Sequence, residues 1–220
     1  MGTLAGWVGR HGVRPARPRR RLATPAMLDF RRLVGEAAWS RLPLAVRERF
    51  GLHRVGEEIT YPGEMIVRAS RFGRLLAQAC RLIGTPLAPW TGEAVPMRVV
   101  VRMEAGGVVW DRWYGFVGRP EILVTSRKQL GRAGELLEVA RGGLGMRSEV
   151  TVEAGVLHFR GVGYVWVLGP MVIPLPTFLT PGVAHVVHED LGGGRFRFAM
   201  SFIHPWLGET IFQEGVFTDP

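Results

Sequence analysis

The 220-residue chain holds a single cysteine, Cys80. It can close no intrachain disulfide and build no cysteine-cluster zinc site, and a reducing compartment, the cytoplasm, is the expected location. Lysine is nearly missing as well: of the 28 basic residues all but Lys128 are arginine. Such a bias follows from GC-rich coding DNA, whereas a nucleic-acid site needs basic residues gathered on one face. The net charge of +9 is also largely local, because Arg10, Arg14, Arg17, Arg19, Arg20 and Arg21 stand in residues 1–26 without an acid, leaving +3 for the rest. Nucleic acid is therefore not an expected partner. Charge of either sign is absent from residues 161–187, long enough to suggest a membrane span. Pro170, Pro174, Pro176 and Pro181 interrupt that stretch, and proline costs about 3 kcal/mol in a helix interior. No transmembrane segment is expected, although peripheral contact with a bilayer stays open. Nucleophile elbow, phosphate loop and dinucleotide fingerprint are missing too, and no cofactor is expected.

Residues 1–26 interleave arginines with Pro15, Pro18 and Pro25 and lack apolar periodicity. They read as a disordered tail. A tail for anionic surfaces, a targeting segment, and a tail without function, lying ahead of a start at Met27, all fit. A secretory signal does not, because residues 22–28 are too short and interrupted. Residues 27–220 read as one α+β domain, with N-terminal helices packed on a curved, mostly antiparallel sheet that forms a partial barrel of about nine strands.

What the chain does have is alternation between glycine turns. Met146, Ser148, Val150 and Val152 alternate with Arg147, Glu149, Thr151 and Glu153, and Ala154-Gly155 makes a two-residue turn. Pairing across it sets Val152 against Leu157, Val150 against Phe159, Ser148 against Gly161 and Met146 against Gly163. Both glycines then point inward and leave side-chain volume empty, for a closely packed helix or for a ligand. A second hairpin joins Met97, Val99, Val101 and Met103 to a return strand with Trp110, Trp113 and Tyr114, and Arg102 and Arg98 would stack near Trp110 and Tyr114. In a third, Phe196, Phe198, Met200 and Phe202 share one face. A four-residue loop over residues 191–194 puts His185 and Glu189 on that face and turns His188 and Asp190 outward. Upstream, residues 28–34 and 44–50 read as short amphipathic helices. Phe72, Leu75, Leu76, Ala79 and Ile83 recur at helical spacing between an N-cap at Ser70 and a stop at Gly84.

Several segments, taken in order, resemble the domain of unknown function 4166 family over residues 42–217. They are Pro43-Leu44 through Arg49-Phe50-Gly51-Leu52-His53, the helix from Phe72, Trp110-x-Arg112-x-Tyr114, the stretch from Glu138 to Gly142, Ile173-Pro174-Leu175-Pro176, Gly194-Arg195-Phe196-Arg197-Phe198 and Pro205-Trp206-Leu207-Gly208. Tyr114 stands where the family pattern has phenylalanine. The resemblance implies a bacterial source. It also implies relatives that stand alone or follow a saccharopine-dehydrogenase-like region, hence a redox enzyme as partner. It brings no catalytic residues.

The composition of His185-Val186-Val187-His188-Glu189 suggests chemistry. Residues three apart on a strand face opposite sides, so His185 and His188 cannot chelate one ion without a bulge, and no metal site is expected. His185 with Glu189 is either an acid–base pair or a hydrogen-bonded buried histidine. Arg112 is either a solvated partner of Trp110 or an inward anchor for an anionic head group, with Glu138 or Glu189 as counter-charge. The leading expectation is a non-catalytic binding domain holding a lipid-like or other apolar molecule. Gly161, Gly163, Trp113, Arg112, Phe198, Met200 and His185 are its candidate contacts, and Met171, Ile173, Leu175 and Phe178, within residues 169–181, its candidate lid. An interaction module serving a separately encoded redox enzyme is the alternative. An isomerase or hydrolase using His185 and Glu189 is the third.

Overall fold

The computed structural model describes residues 27–51, 53–84, 87–131 and 133–220. The expected tail, residues 1–26, lies outside the described residues. Among the described residues four α-helices, α1 (Phe30–Val34), α2 (Glu36–Trp39), α3 (Leu44–Arg49) and α4 (Arg71–Cys80), accompany eleven strands. The strands are β1 (Glu58–Ala69), β2 (Gly92–Glu104), β3 (Gly107–Tyr114), β4 (Ile122–Leu130), β5 (Leu136–Ala140), β6 (Leu144–Glu153), β7 (Val156–Leu168), β8 (Met171–Leu175), β9 (Val183–Gly192), β10 (Arg195–His204) and β11 (Gly208–Thr218).

All pairings are antiparallel, and the sheet runs β6-β5-β4-β3-β2-β1-β11-β10-β9-β7, with β6 and β7 also paired. Ten strands therefore close on themselves, and β8 hangs outside on β7. The expected partial barrel of about nine strands is corrected to a closed barrel, because β1 supplies the strand between β2 and β11. Its Glu58, Pro62, Gly63 and Glu64 hide a strand from propensity. Closure removes sheet edges that would otherwise stay unpaired.

The helices occupy the two mouths. At one, α1 to α3 press Phe30 and Phe50 into the barrel, Phe50 meeting the rings of Phe159, Trp110 and His188. Arg49 follows it inward and is held by Asp219 at 2.7 Å and Asp190 at 3.0 Å. At the other mouth lies α4, N-capped by Ser70, whose side chain accepts from the Gly73 amide. Its buried face is Gly73, Ala77 and Cys80, while Leu75 is 70 % exposed. A side chain at Gly73 would collide with the Thr210 carbonyl, so the small residues set how closely this helix seats. Gly84, at φ 98°, ends the 3-10 turn that follows α4.

Between Arg160 and Tyr164 the seam changes partner. β7 pairs with β9 over residues 157–160 and with β8 over residues 164–168. Pro174 is tolerated in β8 because that strand is an edge. The stretch without charge is thus strand, edge strand and 3-10 turn. Among the described residues no helix is long and apolar enough to cross a membrane, a fact that does not bear on strands.

Candidate functional site

The barrel interior encloses a cavity of about 150 Å³ between the two helical plugs. Apolar walls come from Phe159, Val186, Phe198, Met200 and Phe202, with Phe50 at one end and Leu76, Cys80 and Leu87 at the other. Burial pushes the Cys80 thiol up and so keeps it protonated.

One wall is charged. Alternation along β3, β4 and β5 turns Arg112, Ser126, Lys128 and Glu138 inward together, since Trp110 pairs with Ser126, Arg112 with Val124 and Lys128 with Glu138. Arg112 Nη2 donates to Glu138 Oε1 at 2.7 Å and to Ser126 Oγ at 3.0 Å, and Ser126 Oγ donates to the same carboxylate oxygen at 2.6 Å. Lys128 Nζ takes the other oxygen, Oε2, at 2.8 Å and lies 4.5 Å from the centre of the Trp110 ring. Burial alone would push Glu138 up, but Lys128 and Arg112 hold it well below the usual carboxylate range. Burial lowers Lys128 to about 8, with Glu138 opposing and Arg112 assisting. The carboxylate stays ionised because two cations share it; Lys128 is lowered chiefly by its burial, yet at about 8 it keeps its proton at pH 7.

Further along the wall, Tyr114 donates to Gln213 Oε1 at 2.9 Å and Tyr164 to the Gly182 carbonyl at 2.8 Å. Burial, then Arg49, brings His188 down to about 3, so its ring is neutral. Two buried nitrogens on the lining have no hydrogen-bond partner, Trp110 Nε1 and His188 Nε2. The cavity reaches the surface beside the changed seam, where Leu175, Leu179, Thr180 and Pro181 line it and Leu179 is 58 % exposed.

The family model for the domain of unknown function DUF4166 matches residues 42–217. The chain belongs to the DUF4166 family. No curated protein and no solved structure matches it. The matched part of this DUF4166 domain holds α3, α4 and all eleven strands, save the last residue of β11, and so the whole polar wall.

Of the residues singled out from the sequence, Arg112, Phe198 and Met200 line the cavity of the DUF4166 domain. Others do not. Trp113 is on the outer face under Arg98, 5.2 Å from its guanidinium, while Arg102 pairs with Asp111; the expected stacking of arginines on Trp110 and Tyr114 is corrected, because those two rings point inward. In the β6–β7 hairpin the expected register holds up to Ser148 and Gly161, then shifts by one residue, so that Met146 opposes Tyr164 and Gly163 opposes Arg147. The extra residue, Val162, turns Gly163 to the outer face, and the space at Gly161 is taken by Ala184 and Met146.

A similar one-residue shift overturns the histidine reading. The β9–β10 turn uses Gly193 and Gly194, both at positive φ, and Leu191 is bulged, so Phe196 opposes Asp190 and Phe198 opposes His188. His188 is therefore inside, and His185 and Glu189 are outside. His185 Nε2 lies 3.0 Å from His158 Nδ1, and Glu189 pairs with Arg197 at 2.9 Å. The two do not form an interior acid–base pair. Of the expected lid, Leu175 lines the cavity, whereas Met171, Ile173 and Phe178 are exposed, and residues 171–175 are strand. Sequence reasoning missed Lys128, Ser126 and His188. The parity of Lys128 with Ser126 on β4, and its being the lone lysine, were the available signals for the first two.

Proposed function

We propose that this DUF4166 domain is a non-catalytic binding domain that holds an apolar small molecule inside its barrel. The observation that carries the reading is the cavity itself, about 150 Å³ walled by Phe159, Val186, Phe198 and Met200. Barrels of about eight strands are just wide enough for side chains to fill or for one small ligand, and ten strands enclose more. A cavity of this size takes a ring or a short chain, so a longer molecule leaves its tail in the opening beside Leu175 and Leu179. The apolar side chains exposed near that opening, Met171, Ile173 and Phe178, give the tail a surface to follow.

Native and denatured intact masses of the full chain test this reading. A reproducible excess mass that vanishes on denaturation supports it and weighs the ligand. Equal masses in folded, monodisperse protein that also takes up no added hydrophobe would reject it. A second reading, an interaction module, draws on the same exposed residues together with Trp206 and Leu207. It predicts a partner protein bound at that end of the barrel with the cavity left empty.

A further inference from the structure

The charges on the cavity wall do not balance. Among the described lining residues, Arg112 and Lys128 are cations and Glu138 is the single carboxylate. Neighbouring acids are engaged elsewhere: Asp190 and Asp219 hold Arg49 at the α3 mouth, Asp111 pairs with Arg102, and Glu135 lies 3.6 Å from Arg147. Both oxygens of Glu138 are already used, and a guanidinium and an ammonium together carry more N–H donors than one carboxylate accepts. The wall therefore has one uncompensated positive charge in an apolar enclosure, where unpaired charge is costly.

We infer that the cavity takes a monocarboxylate amphiphile, its carboxylate against Lys128 and Arg112 and its apolar chain running past Phe198 and Met200 toward Leu175 and Leu179. The inference rests on the binding-domain reading above and specifies its ligand class. One negative charge neutralises the wall. A phosphate monoester, carrying about −1.5 to −2 at neutral pH, would replace an excess of one sign with an excess of the other. Lys128 lies over the face of Trp110, 4.5 Å from the ring centre, which keeps its ammonium on the wall. Carboxylate bonds to charged donors are stronger than those of a neutral head group, so the wall sets a preference for the anion.

Calorimetric titration of the full chain at pH 7 with sodium octanoate and with 1-octanol tests it, since the two share a chain and differ in head-group charge. Octanoate is expected to bind at least about tenfold more tightly. In Lys128→Met, Arg112 and Glu138 remain as a neutral pair, the protein folds, and the preference falls to about one, while Lys128→Arg keeps it. Equal affinities in the wild type, or an undiminished preference in Lys128→Met, would overturn the inference. Octanol binding as well as octanoate sinks this inference alone; binding of neither takes the ligand-binding reading down with it. The wild-type comparison decides by itself if Lys128→Met does not fold.

Discussion

Lys128 and Glu138 face each other across β4 and β5, Nζ 2.8 Å from Oε2, while Arg112 on β3 holds the other oxygen of the same carboxylate at 2.7 Å. Three strands thus converge on one anion.

Glu138→Gln leaves Arg112 and Lys128 as two buried cations without a counter-charge. The expected loss is about 3 kcal/mol, read as a lower urea midpoint at pH 7 with an unchanged slope. Adding Lys128→Met removes one of those cations, so the double variant should be more stable than Glu138→Gln alone. A double variant less stable than the single would show that the cations do not repel across the site.

Gly73 separates α4 from the Thr210 carbonyl. Gly73→Ala should destabilise by about 1–3 kcal/mol despite the better helix propensity of alanine, because the cap must lift. Leu75→Ala, on the exposed face of the same helix, should stay within about 0.5 kcal/mol. Denaturation midpoints of the two variants compare the faces directly, and a stabilised Gly73→Ala would mean that the helix seats with room to spare.

His188 is neutral in the folded barrel, near 3, and titrates at about 6.5 once unfolded. Between those values the unfolded chain binds the extra proton, so stability falls as pH falls, by at most about 1.4 kcal/mol per pH unit. His188→Phe keeps the packing between Phe50 and Phe196 and removes the titration. Stability measured from pH 7 to 4.5 should fall more steeply in the wild type than in the variant; parallel curves would put the proton elsewhere.

All three tyrosines, Tyr61, Tyr114 and Tyr164, are raised chiefly by burial, Tyr61 to about 12. Folded protein holds their protons where unfolded chain releases them near 10, so they contribute stability that is lost as pH rises past that value. Tyrosinate absorbance should stay flat to about pH 10.5 in native protein and appear near pH 10 in urea. A third of the full change appearing in the native sample by then would mean one ring is exposed.

Alternation made most strands legible, and with them the inward faces of Phe196 to Phe202 and of Met97 to Met103. The small two-residue turn at Ala154-Gly155 fixed the β6–β7 pairing as far as Ser148 and Gly161. The ends of the helices were equally readable, Ser70 and Gly84 marking them by capping chemistry that acts within a few residues. These features are local, so the sequence by itself determined them. Val162 and Leu191 were not legible as bulges, because an extra residue is accommodated only by the partner strand across from it. Each reversed the face of everything beyond it, the second turning His185 and Glu189 outward and burying His188. Barrel closure, and the meeting of Arg112, Lys128 and Glu138 on one wall, were likewise decided by tertiary structure, since contacts between residues 26 apart depend on which strands become neighbours.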